Sequence, residues 1–230
     1  MVLAATMPTP KYQTFRHRLT RWYRRTGRDL PWRNTRDPYE VLVSEFMLQQ
    51  TQVSRVELYY GRFLRRYPTI DALARAHPAK VRESWEGLGY YRRAVNLHRL
   101  AQVVVADHGG RVPDDLESLK RLPGVGQYTA GAVACFAFEH ATPTVDTNVA
   151  RVIRRAFHPR ASGSRGFRKI WNTAQALVPK RGNPAWTFNQ AIMELGARVC
   201  TARVARCGMC PVRAVCASGR RWQPATSSLD

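Results

Sequence analysis

Residues 122–131, LPGVGQYTAG, place one proline and three glycines directly before the apolar run AVACFAF at 132–138. Upstream, DDLESLKRL at 114–122 carries apolar residues three and four apart and reads as a helix ending at Leu122. A turn built on Pro123, Gly124 and Gly126, with a second helix starting near Gln127, makes a helix-hairpin-helix. Glycine lets the backbone turn tightly and leaves its N–H groups facing outward, and the N-terminus of the second helix adds its positive dipole end. Gly124, Val125, Gly126 and Gln127 are thereby candidate ligands for an anion. The plainer alternative is an ordinary corner between two helices, since Pro and Gly punctuate many of these.

Charge names the anion. The 230 residues include 37 basic and 16 acidic ones, a formal net charge of +21. Only five of the basic residues are lysine, a bias toward arginine that a G+C-rich genome produces unaided. Codon bias does not account for the shortage of acidic residues, so a polyanionic partner is expected, and double-stranded DNA leads. A hairpin gripping DNA phosphate positions the protein without selecting a base. Hydrophobic residues, at 44 %, suffice for one large domain or two small ones. No segment approaches the ~20 apolar residues of a membrane span. The opening MVLAATMPTPKY lacks a charged leader before an apolar stretch, so a cytoplasmic protein with no membrane partner is expected.

Apolar spacing elsewhere is also helical, with no run at a period of two, and the expected class is all-α. Asp37-Pro38 forms an N-cap and first-turn pair before YEVLVSEFMLQQ. Gly61 and Pro68 punctuate VSRVELYYGRFLRRYP, and YYRRAVNLHRLAQVVVAD ends at Gly109-Gly110. Further helices are expected in VDTNVARVIRRAF, FRKIWNTAQALV and WTFNQAIMELGARV, with a flexible patch HPRASGSRG at 158–166 and a disordered tail at 221–230.

Two further constellations bear on chemistry. In TVDTNVARV, 144–152, Asp146 opens a helix, where capping N–H bonds and the dipole keep a carboxylate ionised. Capping alone is the ordinary role of such an aspartate. Cys200, Cys207, Cys210 and Cys216 follow the spacing C-x6-C-x2-C-x5-C. In a reducing compartment such crowding points to metal, and the thiolates alone suit either zinc or an iron–sulfur cluster. Arg203, Arg206 and Arg213 set positive charge between those ligands, and Cys135, in the apolar helix after the hairpin, reads as a core thiol.

The hairpin with its downstream aspartate resembles the helix-hairpin-helix superfamily of DNA glycosylases, and the cysteine spacing resembles the [4Fe-4S] loop of endonuclease III and its relatives. LPWR at 30–33, DPYEVLVSEFMLQQTQV at 37–53, LGYYRRAVNLH at 88–98 and FNQAIMELGARVC at 188–200 resemble the A/G-specific adenine glycosylases of the MutY type. That resemblance implies a helical fold of two domains. One is a six-helix barrel with the hairpin at 30–142; the other is a [4Fe-4S] cluster domain made of 1–29 and 143–220, with the active site in the cleft between them. It implies a monomer acting on duplex DNA that contains a mispaired or damaged base. Glu45 is then the catalytic acid, Asp146 stabilises the sugar cation and Asn148 assists it. Gln50 and Tyr90 wedge into the duplex, and Arg33 lines the base pocket.

Two carboxylates are wanted because adenine leaves poorly until a ring nitrogen is protonated, while the deoxyribose becomes cationic as it departs. Glu45, on an apolar helix between Ser44 and Phe46, has the surroundings of an acid; a buried glutamate paired with an arginine is its plainer reading. Lyase relatives carry lysine at the place of Tyr128. A phenol forms no Schiff base, so base removal that stops at the abasic site is expected. Tyr128 is also what the G/T-mismatch thymine glycosylases of the superfamily carry, and RNTRDPY at 33–39 and GGRVP at 109–113 resemble them. The adenine type usually continues into a Nudix-like domain, which the residues after Cys216 do not provide, and often has glycine where Thr147 stands. Thymine or uracil opposite G is therefore the alternative substrate. An endonuclease III-like lyase and a non-catalytic, cluster-bearing DNA-binding protein stand behind it.

Overall fold

A computed structural model describes residues 9–180 and 182–222, and every regular element among them is helical. The chain divides into two compact units, Met1–Arg28 with Ala141–Asp230, and Asp29–His140. Among the described residues no helix is long and apolar enough to cross a membrane.

The continuous unit holds α2 (Pro38–Leu48), α3 (Val53–Arg66), α4 (Ile70–Ala74), α5 (Pro78–Glu83), α6 (Arg92–His108), α7 (Leu116–Arg121) and α8 (Gln127–Phe136). Local chemistry sets most of the boundaries. Asp37 accepts from the N–H groups of Tyr39 and Glu40 at 2.7 and 3.2 Å ahead of Pro38, Asp115 accepts from Ser118 at 2.8 Å, and Gly109 ends α6 in the left-handed region at φ 58°. Pro68 and Pro78 break the chain between α3 and α6 into the short α4 and α5. Helix α2 is buried almost all round, with Leu42, Val43, Phe46 and Met47 sealed, and it packs against α3, α6 and α8. Trp85, Leu97, Leu100 and Val104 continue this core, and Phe63 meets Trp85 edge-on at 5.6 Å.

The discontinuous unit is built on α1 (Pro10–Thr26), α9 (Thr147–Phe157), α10 (Gly163–Leu177) and α11 (Gly182–Arg198), followed by three 3-10 turns at Cys207–Met209, Arg213–Val215 and Gly219–Arg221. Phe15 and Leu19 of α1 join Val152 and Ile153 of α9 and Ile192 and Leu195 of α11 in its core, with Phe15 and Phe157 5.0 Å apart between ring centres. Glu194, fully buried on α11, is clamped by Arg28 through Nε–Oε1 at 2.8 Å and Nη2–Oε2 at 2.9 Å.

The segment 158–166 differs from its expected flexibility. Its second half is the first turn of α10, where Gly166 lies so close to Ala161 that a β-carbon would stand 2.9 Å from the Ala161 carbonyl carbon. Of the expected tail at 221–230, Arg221 closes a 3-10 turn and Trp222 lies under the Arg213 guanidinium, 4.9 Å from ring centre to carbon. Residues 223–230 and 1–8 lie outside the described residues.

Candidate active site

In the continuous unit, the sequence between α7 and α8 folds as the expected hairpin. Gly124 takes φ +78°, and a β-carbon there would meet Asn96 Cβ at 2.8 Å and Phe46 Cε1 at 3.0 Å, so the turn lies directly on α6 and α2. Val125 is buried and ties the turn back through its N–H to the Leu122 carbonyl at 3.1 Å. Gly126 is the N-cap of α8, offers no capping side chain and has open space beyond its α-carbon, with Gln127 exposed beside it. A phosphate can therefore approach the first amides of α8 without displacing a side chain. Tyr128, one residue further, is half-buried.

Glu45 sits on α2 one residue before Phe46 and is 4 % exposed, with Oε2 sealed from solvent. Ser44 turns its hydroxyl to the Val41 carbonyl at 2.8 Å. Arg33 ends the 3-10 turn Pro31–Arg33 and is half-buried. Just past α2, Gln50 has φ 57°, and Tyr90, ahead of α6, is 61 % exposed with φ 48°. Left-handed backbone is uncommon for side chains of this kind, and its occurrence at both expected wedge residues marks two turns held in place by their surroundings.

Asp146 belongs to the other unit. It caps α9 by accepting from the Val149 N–H at 2.6 Å, and its Oδ2 accepts from Asn148 Nδ2 at 2.9 Å. Both of these bonds are donated to the carboxylate, the arrangement that suits an anion. Behind Asn148 stands Arg151, whose Nη2 donates to Asn148 Oδ1 and the Gly196 carbonyl, both at 2.8 Å, while Nε donates to the Cys200 carbonyl at 2.8 Å. Gly196 makes the arrangement possible, since a β-carbon there would fall 2.8 Å from Asn148 Cβ. From α11, Asn189 accepts from the Thr144 N–H at 3.2 Å and donates to the Thr142 carbonyl at 2.9 Å, fixing the segment that delivers Asp146.

Cys200, Cys207, Cys210 and Cys216 all line one pocket of about 30 Å³, walled by Val152, Ala156, Leu195, Val199 and Val212. Among the described residues no group of three or more His, Cys, Asp or Glu side chains is arranged to hold a metal ion. The Gly219 N–H reaches Cys216 Sγ at 3.2 Å and Arg155 Nη1 reaches Cys200 Sγ at 3.5 Å. Burial pushes the Cys210 thiol up to about 11 and raises that of Cys207. An electron-rich group held here would find N–H donors already aimed at its sulfurs, so the residues present fit a sulfur-ligated cluster. Cys135 is buried in α8 of the continuous unit.

Sequence reading missed Arg93, Arg151, Arg28 and Glu194. None carries a spacing signal, and each is distinguished only by its burial and its partners.

A family model described as HhH-GPD superfamily base excision DNA repair protein matches residues 43–180. The chain is 50% identical over 212 residues to the adenine DNA glycosylase of Mycobacterium tuberculosis (strain ATCC 25618 / H37Rv), covering 90% of this chain and 69% of that protein. Among solved structures, a thermostable thymine-DNA glycosylase superimposes with a TM-score of 0.85 at 32% identity, covering 92% of this chain and 98% of that one. Endonuclease III, trapped as a covalent intermediate with DNA in an estranged-adenine complex, superimposes with a TM-score of 0.75 at 26% identity, covering 91% and 97%. With its hairpin inside the matched region and half of its aligned residues shared with such a relative, the chain belongs to the HhH-GPD superfamily of base excision DNA repair proteins.

Proposed function

We propose that this chain is a monofunctional DNA glycosylase of base excision repair that hydrolyses the N-glycosidic bond of adenine mispaired with guanine or 8-oxoguanine in duplex DNA. The observation that carries the reading is the contrast between two carboxyls. Glu45 is buried on the apolar helix α2, and Asp146 is fixed at the start of α9 by the Val149 N–H and Asn148 Nδ2. A carboxyl shielded from bulk water is placed to hand a proton to a leaving base, and a carboxylate fixed by two donors is placed to face a developing cation. Glu45 gives its proton to a ring nitrogen of adenine, the C–N bond breaks with its electron pair going to the base, and the cationic sugar is stabilised by Asp146, which Asn148 orients. Water adds to the sugar carbon and loses a proton, leaving an abasic site and free adenine. Tyr128 offers no amine, so the strand stays intact.

Reaching a stacked base requires extruding it. Gly124 to Gln127 hold a backbone phosphate, Gln50 and Tyr90 enter the duplex beside the extruded base, and Arg33 lines the pocket that receives it. Cys200, Cys207, Cys210 and Cys216 hold a [4Fe-4S] cluster. When bound, it cross-links their loop at four points, with Arg155 and the Gly219 amide donating to its ligand sulfurs. The spacing C-x6-C-x2-C-x5-C of the four cysteines favours this cluster over one zinc ion. The protein acts as a monomer on mismatched DNA in the cytoplasm.

A second reading, removal of thymine or uracil opposite guanine, is favoured by the likeness over nearly full length to the thymine-DNA glycosylase structure. Two variants separate the readings. Asp146→Asn is expected to abolish release of any base, whereas Glu45→Gln is expected to abolish adenine release and spare pyrimidine release, because a pyrimidine departs as a stabilised anion. Adenine release at full rate from Glu45→Gln would remove the acid from this mechanism.

A further inference from the structure

We infer that Arg93 is the positioning residue for base extrusion. Its guanidinium joins the two turns that carry Gln50 and Tyr90 into one rigid wedge; the inference rests on the wedge role proposed for those two residues. Arg93, on the first turn of α6, is 6 % exposed. Nη1 donates to the carbonyls of Phe46, Met47 and Gln49 at 3.0, 2.7 and 2.5 Å. Nη2 donates to Leu88 and Gly89 at 3.2 and 3.0 Å, and Nε to the Tyr90 carbonyl at 3.4 Å. The guanidinium carbon also lies 5.5 Å from the ring centre of Tyr90 and 5.5 Å from that of the buried Trp85.

These contacts have a direction. Three of the carbonyls are the end of α2 and the residue just before Gln50, where a cation meets the negative end of the helix dipole. The other three are the turn ending at Tyr90. Gln50 directly follows the first set and Tyr90 ends the second, both left-handed at φ 57° and 48°, a conformation that neither side chain favours unaided. Relaxing either turn to ordinary backbone would swing its wedge side chain away, and the carbonyls gripped by Arg93 are the ones such a relaxation must move. Gly89, at φ +72° with open space around it, makes the second turn accessible to this clamp. Only arginine supplies five N–H donors in a planar fork; lysine keeps the charge but has three donors and cannot span both turns.

Arg93→Lys therefore separates clamping from charge. In a Glu45→Gln background, which holds the base without releasing it, 2-aminopurine at the target position brightens when it leaves the stack. Arg93→Lys is expected to lower the extrusion equilibrium about tenfold, equivalent to ~1.4 kcal/mol. Affinity for undamaged duplex should change by less than about twofold, since Arg93 is buried and the substitution keeps its charge. Gln50→Ala and Tyr90→Ala should dim the same signal. Full fluorescence in Arg93→Lys while both alanine variants go dark overturns the clamp and leaves the wedge reading intact. Full fluorescence in both alanine variants sinks the wedge reading itself. If Arg93→Lys does not fold, Gly89→Ala strains the gripped turn with Arg93 in place. A loss of about threefold is then expected, from the penalty on a left-handed backbone, and an unchanged signal overturns the inference equally.

Discussion

Gly124→Ala and Gly126→Ala change neighbouring glycines of one hairpin and should fail in different ways. At Gly124 the new methyl is placed at φ +78°, 2.8 Å from Asn96 Cβ and 3.0 Å from Phe46 Cε1. The left-handed backbone costs about 1–2 kcal/mol for a residue with a β-carbon, and forcing a methyl into a packed contact costs about 1–3 kcal/mol more. A loss near ~3 kcal/mol lowers the melting temperature of a chain this long by roughly 6–12 °C. Gly126 has ordinary backbone at φ −93° and no atom within 4 Å of where a methyl would stand, so folding should change by less than about 1 kcal/mol. Its methyl would instead project into the open space beside the start of α8 through which a phosphate approaches, and duplex affinity should fall while the melting temperature holds. Thermal unfolding followed by circular dichroism, with duplex binding by fluorescence anisotropy, reads both quantities. Equal melting temperatures for the two variants, or unchanged binding by Gly126→Ala, would refute this division of labour in the hairpin.

Arg151→Met removes the donor that holds Asn148 in place, and single-turnover base release should fall roughly 10–100-fold with duplex affinity retained; an unchanged rate would show that Asp146 needs no such support. Arg28→Met strips the two-pronged clamp from the buried Glu194 carboxylate, whose contact to Arg198 Nη1 is longer, at 3.4 Å. Urea unfolding should register a loss of about 2–3 kcal/mol, and changing Glu194→Met as well should recover part of it. Burial, with Lys169 and Lys11 nearby, holds His158 below its ordinary value of 6.5, and its ring nitrogen meets Thr173 Oγ1 at 2.7 Å. The folded state thus prefers the neutral ring, so this contribution is present above the ordinary value and is lost as pH falls through the lowered one. Melting temperatures measured down an acid series should fall less steeply for His158→Gln than for the parent protein, and parallel curves would contradict the assignment.

What sequence alone revealed was what is local. The N-caps at Asp37 and Asp146 act within three residues of themselves, and the hairpin glycines and the cysteine spacing lie within short stretches. Long-range partners left no such trace. Arg93 bonds to carbonyls up to 47 residues away, and Arg28 to a glutamate 166 residues on. In a chain with 37 basic residues nothing local distinguishes the arginines that take such partners. The expected flexibility at 158–166 was a matter of glycine and serine propensity, which the packing of Ile170, Ala174 and Leu177 on α10 overrides in its second half. The left-handed backbone at Gln50 and Tyr90 was equally hidden, because neither residue favours it and only the surrounding carbonyl contacts hold it.

Adenine removal without strand cleavage is tested head-on by single-turnover base release from duplexes bearing adenine, thymine or uracil opposite guanine or 8-oxoguanine, each reaction divided and quenched with and without alkali. Adenine release opposite both purines is expected, with strand breaks appearing only in the alkali-treated half. Release confined to thymine or uracil, or breaks of equal yield without alkali, would contradict it.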